Sequence, residues 1–136
     1  MTSVPFTPIR SLVVRRPIEF LTEILPVFGD TAVMSLEGDL SQCRVDAFEG
    51  LLASRSPDFA EFPLTSVNRE RLVDSELARI GLRKRIAHVL IRDAGAIRFA
   101  SYDWFHPECV GCDASIPLAL LDRLVAAGHL AKFADV

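Results

Sequence analysis

The fold class is indicated by residues 86–102, IAHVLIRDAGAIRFASY, in which two strand-like runs flank a turn. Residues 86–92 and 96–102 are rich in β-branched and aromatic side chains, and Asp93, Ala94 and Gly95 between them predict a three-residue hairpin loop. With that loop, Leu90 pairs with Arg98. One face of the hairpin is apolar and is expected to face the core: Val89, Ile91, Ile97 and Phe99. The other face is more polar: His88, Leu90, Arg92, Arg98, Ala100 and Tyr102.

The flanking sequence predicts helices and further strands around this hairpin. A helix is predicted to begin near Pro17 and to end at Pro26. Three further helices are expected: residues 40–53 after an Asp39 cap, residues 67–80 before Gly81, and residues 116–127 after a Ser115 cap. Alternating apolar residues predict a strand over 31–37 and a short edge strand over 59–64. The mixture favours an α+β fold: a small, mainly antiparallel sheet with helices packed on it.

The length and composition favour a single domain. The chain has 136 residues, of which 50% are hydrophobic and 24% are charged, so one core can form without disulfides or a structural metal. Residues 1–9, which include Pro5 and Pro8, are expected to form an extended N-terminal arm, and residues 10–136 a single α+β domain.

The charge and cysteine content argue against several classes of protein. The formal net charge of −3 is unlike the basic excess of nucleic-acid binders, so no nucleic-acid partner is expected. No apolar run has the roughly 18–20 residues needed to span a bilayer, and the beginning of the chain is unlike a secretory signal, so no membrane partner is expected. Three cysteines without framework spacing are typical of reduced thiols, which predicts a cytoplasmic protein.

Residues 101–113, SYDWFHPECVGCD, concentrate the side chains that could carry chemistry. His106, Cys109 and Cys112 have the spacing H-x-x-C-x-x-C, which could present ligands to one zinc ion if the fold recruits a fourth. A redox function of the two thiols is a further alternative, although it normally requires a helix N-terminus and a surrounding βαβ pattern. The letters His106-Pro107-Glu108 resemble part of a zinc deaminase motif, but that chemistry needs two separate segments.

A structural interpretation of the same segment is also open. Trp104, Phe105 and Val110 would anchor the crossing from strand to helix, Pro107 would set a turn, and the thiols would pack as small apolar groups. The sequence contains no glycine-rich phosphate loop and no nucleophile elbow, so a non-enzymatic function is favoured and no catalytic residue is assigned.

Protein binding is the function that the segment favours, because interfaces concentrate aromatic residues and arginine on loops held by a rigid scaffold. The expected partner-binding residues lie on this loop and on the polar face of the hairpin: His88, Arg98, Tyr102, Asp103, Trp104, His106 and Glu108.

A resemblance to a known class supports the same function. The run from Tyr102 to Cys109, YDWFHPEC, followed by a leucine-rich helix and Gly128, resembles small bacterial immunity proteins of polymorphic-toxin systems. The resemblance covers about residues 86–130. It implies a cytosolic, non-enzymatic protein that binds one toxin domain and blocks it, and it assigns neither a catalytic nor a mapped binding residue.

Overall fold

The computed structural model describes residues 6–55 and 57–136, and eight strands of this part form one antiparallel sheet. The strands are β1 (Arg10–Val14), β2 (Val33–Gly38), β3 (Ala53–Arg55), β4 (Phe59–Pro63), β5 (Ile86–Asp93), β6 (Ala96–Ser101), β7 (Val110–Cys112) and β8 (Leu130–Asp135). Their order across the sheet is β3-β4-β2-β5-β6-β7-β1-β8. The helices are α1 (Pro17–Ile24), α2 (Ser66–Arg71), α3 (Leu77–Arg79) and α4 (Leu118–Ala126). The protein is thus a small, single-domain α+β fold, as predicted.

The helices cover one face of the sheet, and the core lies between the two layers. On this face Phe99 of β6 contacts Phe20 of α1, with ring centroids 5.6 Å apart. Most core-facing strand residues alternate with exposed or half-buried neighbours, as expected for a sheet covered mainly on one side, although Ser35 and Ala100 are also buried. The core-facing residues include Leu12, Met34, Leu36, Phe62, Val89, Ile91 and Phe99. We call the opposite surface of the sheet the open face.

The β5–β6 hairpin exists, but its predicted register was wrong. Asp93 pairs with Ala96, so the turn contains two residues, Ala94 and Gly95, with φ angles of 49° and 77°. Positive φ at both central positions gives the turn a twist that matches the strands, which favours the shorter loop. A register shift after Ile91 then pairs Leu90 with Ala100. Val89, Ile91 and Phe99 face the core as predicted, whereas Ile97 pairs with Arg92.

The helix predicted over residues 40–53 is wrong, and side chains of the following helix explain the difference. This segment contains a single 3-10 turn, Val45–Ala47. The buried Asn68 accepts a hydrogen bond from the Glu49 amide and donates to the Glu49 carbonyl, both at 2.9 Å. Buried Glu76 accepts a 2.8 Å hydrogen bond from the Arg44 amide. These bonds use backbone groups that a helix would need, so the segment has an irregular conformation and packs on the core.

The helix predicted over residues 67–80 forms, but a π-helical turn in its middle changes which side chains face the core. Thr65 caps α2 by accepting a hydrogen bond from the Asn68 amide, and a π-helical turn over Leu72–Glu76 joins α2 to α3. In this turn the Leu77 amide donates to the Leu72 carbonyl, five residues back. Leu72 is therefore fully buried, whereas Val73 is 46% exposed.

The last helix begins later than predicted and is capped differently. α4 starts at Leu118 with Pro117 in the capping position, whereas the Ser115 amide donates to the Asp113 carboxylate at 2.8 Å. Val125 is 37% exposed, while Leu120, Leu121 and Leu124 are buried.

The predicted arm over residues 1–9 falls partly outside the described residues, since residues 1–5 are not described. From Phe6 onwards the chain lies along β7. The Ile9 amide donates to the Cys112 carbonyl at 3.0 Å, and a Cβ atom built on Gly111 would come within 2.9 Å of Pro8. Glycine at position 111 therefore allows this segment to pack closely on the open face.

Candidate functional site

The segment Tyr102–Cys109 forms a closed loop between β6 and β7, which we call the Trp104 loop. Its ends are joined by a 2.9 Å hydrogen bond from the Tyr102 amide to the Cys109 carbonyl. Inside the loop, the His106 amide donates to the Asp103 carbonyl at 3.1 Å, and the Cys109 amide donates to the His106 carbonyl at 2.8 Å. These backbone bonds hold the loop in one conformation.

The backbone of the Trp104 loop is strained. Asp103, Trp104 and Phe105 have φ angles of 52°, 56° and 59°, so three consecutive residues lie in the left-handed region. This region costs an L-residue about 1–2 kcal/mol, and a run of three without glycine is rare. Such strain persists only where surrounding contacts impose it, and it concentrates at functional sites.

Two contacts impose this conformation, and together they leave Trp104 at the surface. Phe105 is 1% exposed and packs near Phe99, with ring centroids 6.5 Å apart. The Trp104 amide donates to the Ala87 carbonyl on β5 at 3.0 Å. The Trp104 side chain is 48% exposed. The structural interpretation therefore holds for Phe105 and Val110, which are buried, but not for Trp104.

Cys109 lies within the loop beside two polar side chains. Its Sγ is 3.7 Å from Asp103 Oδ2 and 4.0 Å from His106 Nδ1. His106 Nδ1 also accepts a hydrogen bond from the Glu108 amide at 3.1 Å. Partial burial, together with the carboxylate of Asp103, raises the pKa of the Cys109 thiol, so the thiol stays protonated near neutral pH.

Cys112 is separated from this cluster by its position on β7. It pairs with Phe99, is fully buried in the core, and has a pKa raised to about 11, chiefly by burial. The two thiols also lie well before α4, so they are not at a helix N-terminus. Across residues 6–55 and 57–136, no three or more His, Cys, Asp and Glu side chains are grouped so as to hold a metal ion.

A line of side chains crosses the open face next to the Trp104 loop, and we call it the open-face row. Strand pairing places its members side by side, since Arg55 pairs with Phe59, Phe59 with Glu37, and Glu37 with His88. Tyr102 completes the row, its ring meeting the His88 imidazole edge to face with centroids 5.2 Å apart. The row thus runs across four strands and ends at the Trp104 loop.

Glu37 is the central charge of the open-face row. One of its carboxylate oxygens lies 3.6 Å from Arg55 Nη2 and the other 3.7 Å from His88 Nε2. The Arg55 guanidinium also sits over the Phe59 ring, 4.9 Å from its centroid. On the other side of His88, its Nδ1 atom is buried and has no hydrogen-bond partner among the described residues.

The neighbouring positions on the open face form a compact polar network. Ser35 donates a 2.9 Å hydrogen bond to Glu61, and Arg92 forms an ion pair with the same carboxylate. Together with Glu37, Phe59, His88 and Tyr102 of the open-face row, this network lines a groove of about 310 Å³. Phe59, Leu90 and Tyr102 supply its apolar walls. The groove can therefore receive a side chain that is partly apolar and partly charged.

The structure brings together most of the predicted partner-binding residues. Asp103, Trp104, His106 and Glu108 are exposed on the Trp104 loop, and Tyr102 and His88 adjoin it on the open face. Arg98 lies apart from them, about 13 Å along β6 from Tyr102, given the rise of a strand. Its guanidinium donates a 2.9 Å hydrogen bond to Asp113, so its contact is structural.

Sequence reasoning missed Arg55, Phe59 and Glu61 as members of this surface. The alternation in β4 could have identified Phe59 and Glu61 as open-face residues. Their proximity to His88, however, depends on β2 lying between β4 and β5, and strand order is a property of the tertiary structure.

The described part of the chain contains no helix that is both long and apolar enough to cross a bilayer. Comparison of the chain with protein-family models, with curated proteins and with solved structures found no match in any of the three.

Proposed function

We propose that this protein is a non-enzymatic binder of one protein partner, and that the Trp104 loop and the adjoining open-face row form the contact surface. The observation that carries the proposal is the exposed Trp104 on a backbone with three consecutive left-handed residues. Tryptophan is among the residues that contribute most to binding energy when it is buried at the centre of an interface. A partner that covers Trp104 would recover the apolar area that the loop leaves in water.

The strain of the loop supports binding through preorganisation. Because Phe105 and the closing hydrogen bonds hold the loop in one conformation, little conformational entropy is lost when a partner docks. The polar residues around Trp104 are also exposed, and they can form the hydrated rim of an interface.

The state of the thiols supports a binding function over nucleophilic catalysis. A reactive cysteine has a lowered pKa near a cation or a helix N-terminus. Cys109 instead lies beside the carboxylate of Asp103, and its pKa is raised. Cys43 is likewise held protonated, with a pKa of about 12 caused first by burial and then by Glu76.

In its most specific form, the proposal is an immunity-type protein of the bacterial cytoplasm that binds a toxin domain and blocks it. The resemblance of residues 86–130 to immunity proteins supports this form, and the acidic net charge suits a basic partner. Neither a nucleic acid nor a membrane is part of the proposed function.

Co-expression with the toxin domains encoded beside its gene tests the proposal. We expect a stable 1:1 complex, and we expect Trp104→Ala to weaken it at least about thirtyfold, since a tryptophan hot spot contributes about 2 kcal/mol or more. Leu118→Ala is the matched control, because Leu118 is 50% exposed and lies on α4. The proposal is wrong if no complex forms, or if the two variants weaken the complex equally.

A metal-binding function is the second candidate because two possible ligands lie near Cys109, although the described residues contain no group of three or more that is arranged to hold a metal ion. Zinc binds thiolate, imidazole and carboxylate ligands, and Asp103 and His106 both approach the Cys109 sulfur. Cys112, the third residue of the sequence motif, is buried in the core, so it does not join His106 and Cys109. Elemental analysis of protein purified without an affinity tag decides the matter. Less than about one-tenth of an equivalent of zinc or iron would exclude a tightly bound metal.

A further inference from the structure

Resting on the proposed binding function, we propose that the open-face row binds an arginine side chain of the partner protein, in the place that Arg55 occupies in the free protein. In this contact, a planar guanidinium lies on Phe59 and pairs with the carboxylate of Glu37.

The position of Arg55 shows that the site accepts this group. Its guanidinium lies over the Phe59 ring at 4.9 Å and reaches Glu37 at 3.6 Å, so it makes both contacts at once. Stacking on an aromatic face while pairing with a carboxylate is characteristic of arginine and is unavailable to lysine in the same geometry. The aromatic wall continues to Tyr102 on the far side of Glu37 and His88.

Arg55 is held weakly enough to be displaced. It belongs to β3, an edge strand of three residues that are all exposed. The Arg55 and Glu37 side chains are 68% and 48% exposed, and exposed ion pairs of this kind contribute little to stability. From the described residues, Glu37 accepts no side-chain hydrogen bond, so its oxygens can take new donors. The second carboxylate of the groove, Glu61, is already bonded to Ser35 and Arg92.

The charge of the whole chain is consistent with this occupant. A net charge of −3 favours encounter with a cationic surface, and Asp103 and Glu108 on the Trp104 loop add exposed carboxylates beside the row. A partner that covers Trp104 can therefore place an arginine over Phe59 and beside Glu37.

The test uses the full-length protein and two peptides, acetyl-Gly-Arg-Gly-amide and the same peptide with citrulline, which is neutral and of nearly the same shape. We expect the arginine peptide to shift the NMR signals of Glu37, His88 and Tyr102 with weak, saturable affinity at low salt. The citrulline peptide should leave these signals unchanged.

Variants separate the site from general attraction to an acidic protein. Arg55→Ala should tighten binding of the arginine peptide about threefold, because it removes a competitor of the strength of an exposed ion pair. Glu37→Gln should abolish the shifts, and Glu70→Gln, an exposed carboxylate on α2, should not change them. Equal shifts with citrulline, or an Arg55→Ala variant that binds no tighter, would overturn the inference.

The outcome is independent of the test of the proposed function. A toxin complex that depends on Trp104 but not on Glu37 leaves the binding function in place and removes the arginine site. If the peptide binds to the row but no toxin complex forms, the arginine site remains and the proposed binding function is wrong.

Discussion

At the scale of single residues, the Trp104 loop places the largest side chain of the protein at the surface at an energetic cost. Asparagine, aspartate and glycine tolerate the left-handed region, so Asp103 is a natural first residue of the run, but Trp104 and Phe105 are not. Burial of Phe105 offsets the strain, whereas no comparable burial is seen for Trp104. The conformation at position 104 therefore costs stability in the free protein, and a bound partner would explain why tryptophan stands there.

The strain at position 104 can be measured by comparing two substitutions. Trp104→Gly should have a free energy of unfolding about 1 kcal/mol higher than Trp104→Ala, because glycine adopts φ of 56° without steric cost. Urea denaturation of both variants gives the difference. At ordinary strand or helix positions, an alanine variant is more stable than a glycine variant. If Trp104→Ala is more stable than Trp104→Gly, the backbone at Trp104 is not strained.

At the scale of elements, the α2–α3 helix determines how the preceding segment folds. Asn68 is fully buried and bonds to both backbone groups of Glu49 and to the carbonyl of Pro63. The stacked rings of Phe48 and Phe62, 3.9 Å apart, fix the same segment to β4. A polar side chain in the helix thus takes up both backbone groups of Glu49, which a helix over residues 40–53 would need.

Removal of this side chain should have a large effect on stability. Asn68→Ala leaves the Glu49 amide and two carbonyl groups without their partner, and we expect a loss of about 2–4 kcal/mol in the free energy of unfolding. Glu70→Ala, at an exposed position of the same helix, should change it by less than about 0.5 kcal/mol. Thermal or urea unfolding measures both. Equal effects of the two variants would mean that Asn68 does not hold the segment.

At the scale of the whole molecule, strand order joins distant parts of the chain. β1 lies between β7 and β8, so the first described strand pairs with two of the last. The pairing of the sheet is therefore complete only when almost the whole chain has folded. The Arg98–Asp113 pair strengthens the connection between the hairpin and α4. Burial raises the pKa of Asp113, but hydrogen bonds from Arg98 and Ser115 outweigh it and hold this pKa below its ordinary value of 3.8.

The stability of the protein should therefore depend on pH at both extremes. Since the folded pKa of Asp113 is below its ordinary value, its contribution is present above about pH 4 and is lost as the pH falls through the folded value. The thiols act in the opposite direction. Cys43 and Cys112 have folded pKa values of about 12 and 11 against an ordinary 9.0, so their contribution is lost as the pH rises above 9.

Urea denaturation from pH 3 to pH 10 tests this dependence. Asp113→Asn should lower the free energy of unfolding by about 1–2 kcal/mol at pH 7 and flatten the decline below pH 4. Asp122→Asn, at an exposed position of α4, should leave the whole curve unchanged. An acid decline as steep in Asp113→Asn as in the wild type would show that other carboxylates are responsible.

The residue pattern alone determined the α+β class, the hairpin, the existence of helices near residues 17–25, 67–80 and 116–127, and the concentration of aromatic, histidine and cysteine side chains at residues 102–109. These features depend on local periodicity, turn residues and caps, which act within a few residues. The strands β1, β3, β7 and β8 were not predicted, because such short or weakly alternating segments become strands only when a neighbour supplies their hydrogen bonds.

The tertiary structure alone decided the irregular fold of residues 40–53, the left-handed run at Asp103–Phe105 and the alignment of Arg55, Phe59, Glu37 and His88. Each results from contacts between residues far apart in sequence: Asn68 with Glu49, Trp104 with Ala87 on β5, and β2 inserted between β4 and β5. Local propensities are worth tenths of a kcal/mol per residue, and buried hydrogen bonds and apolar packing outweigh them wherever the two conflict.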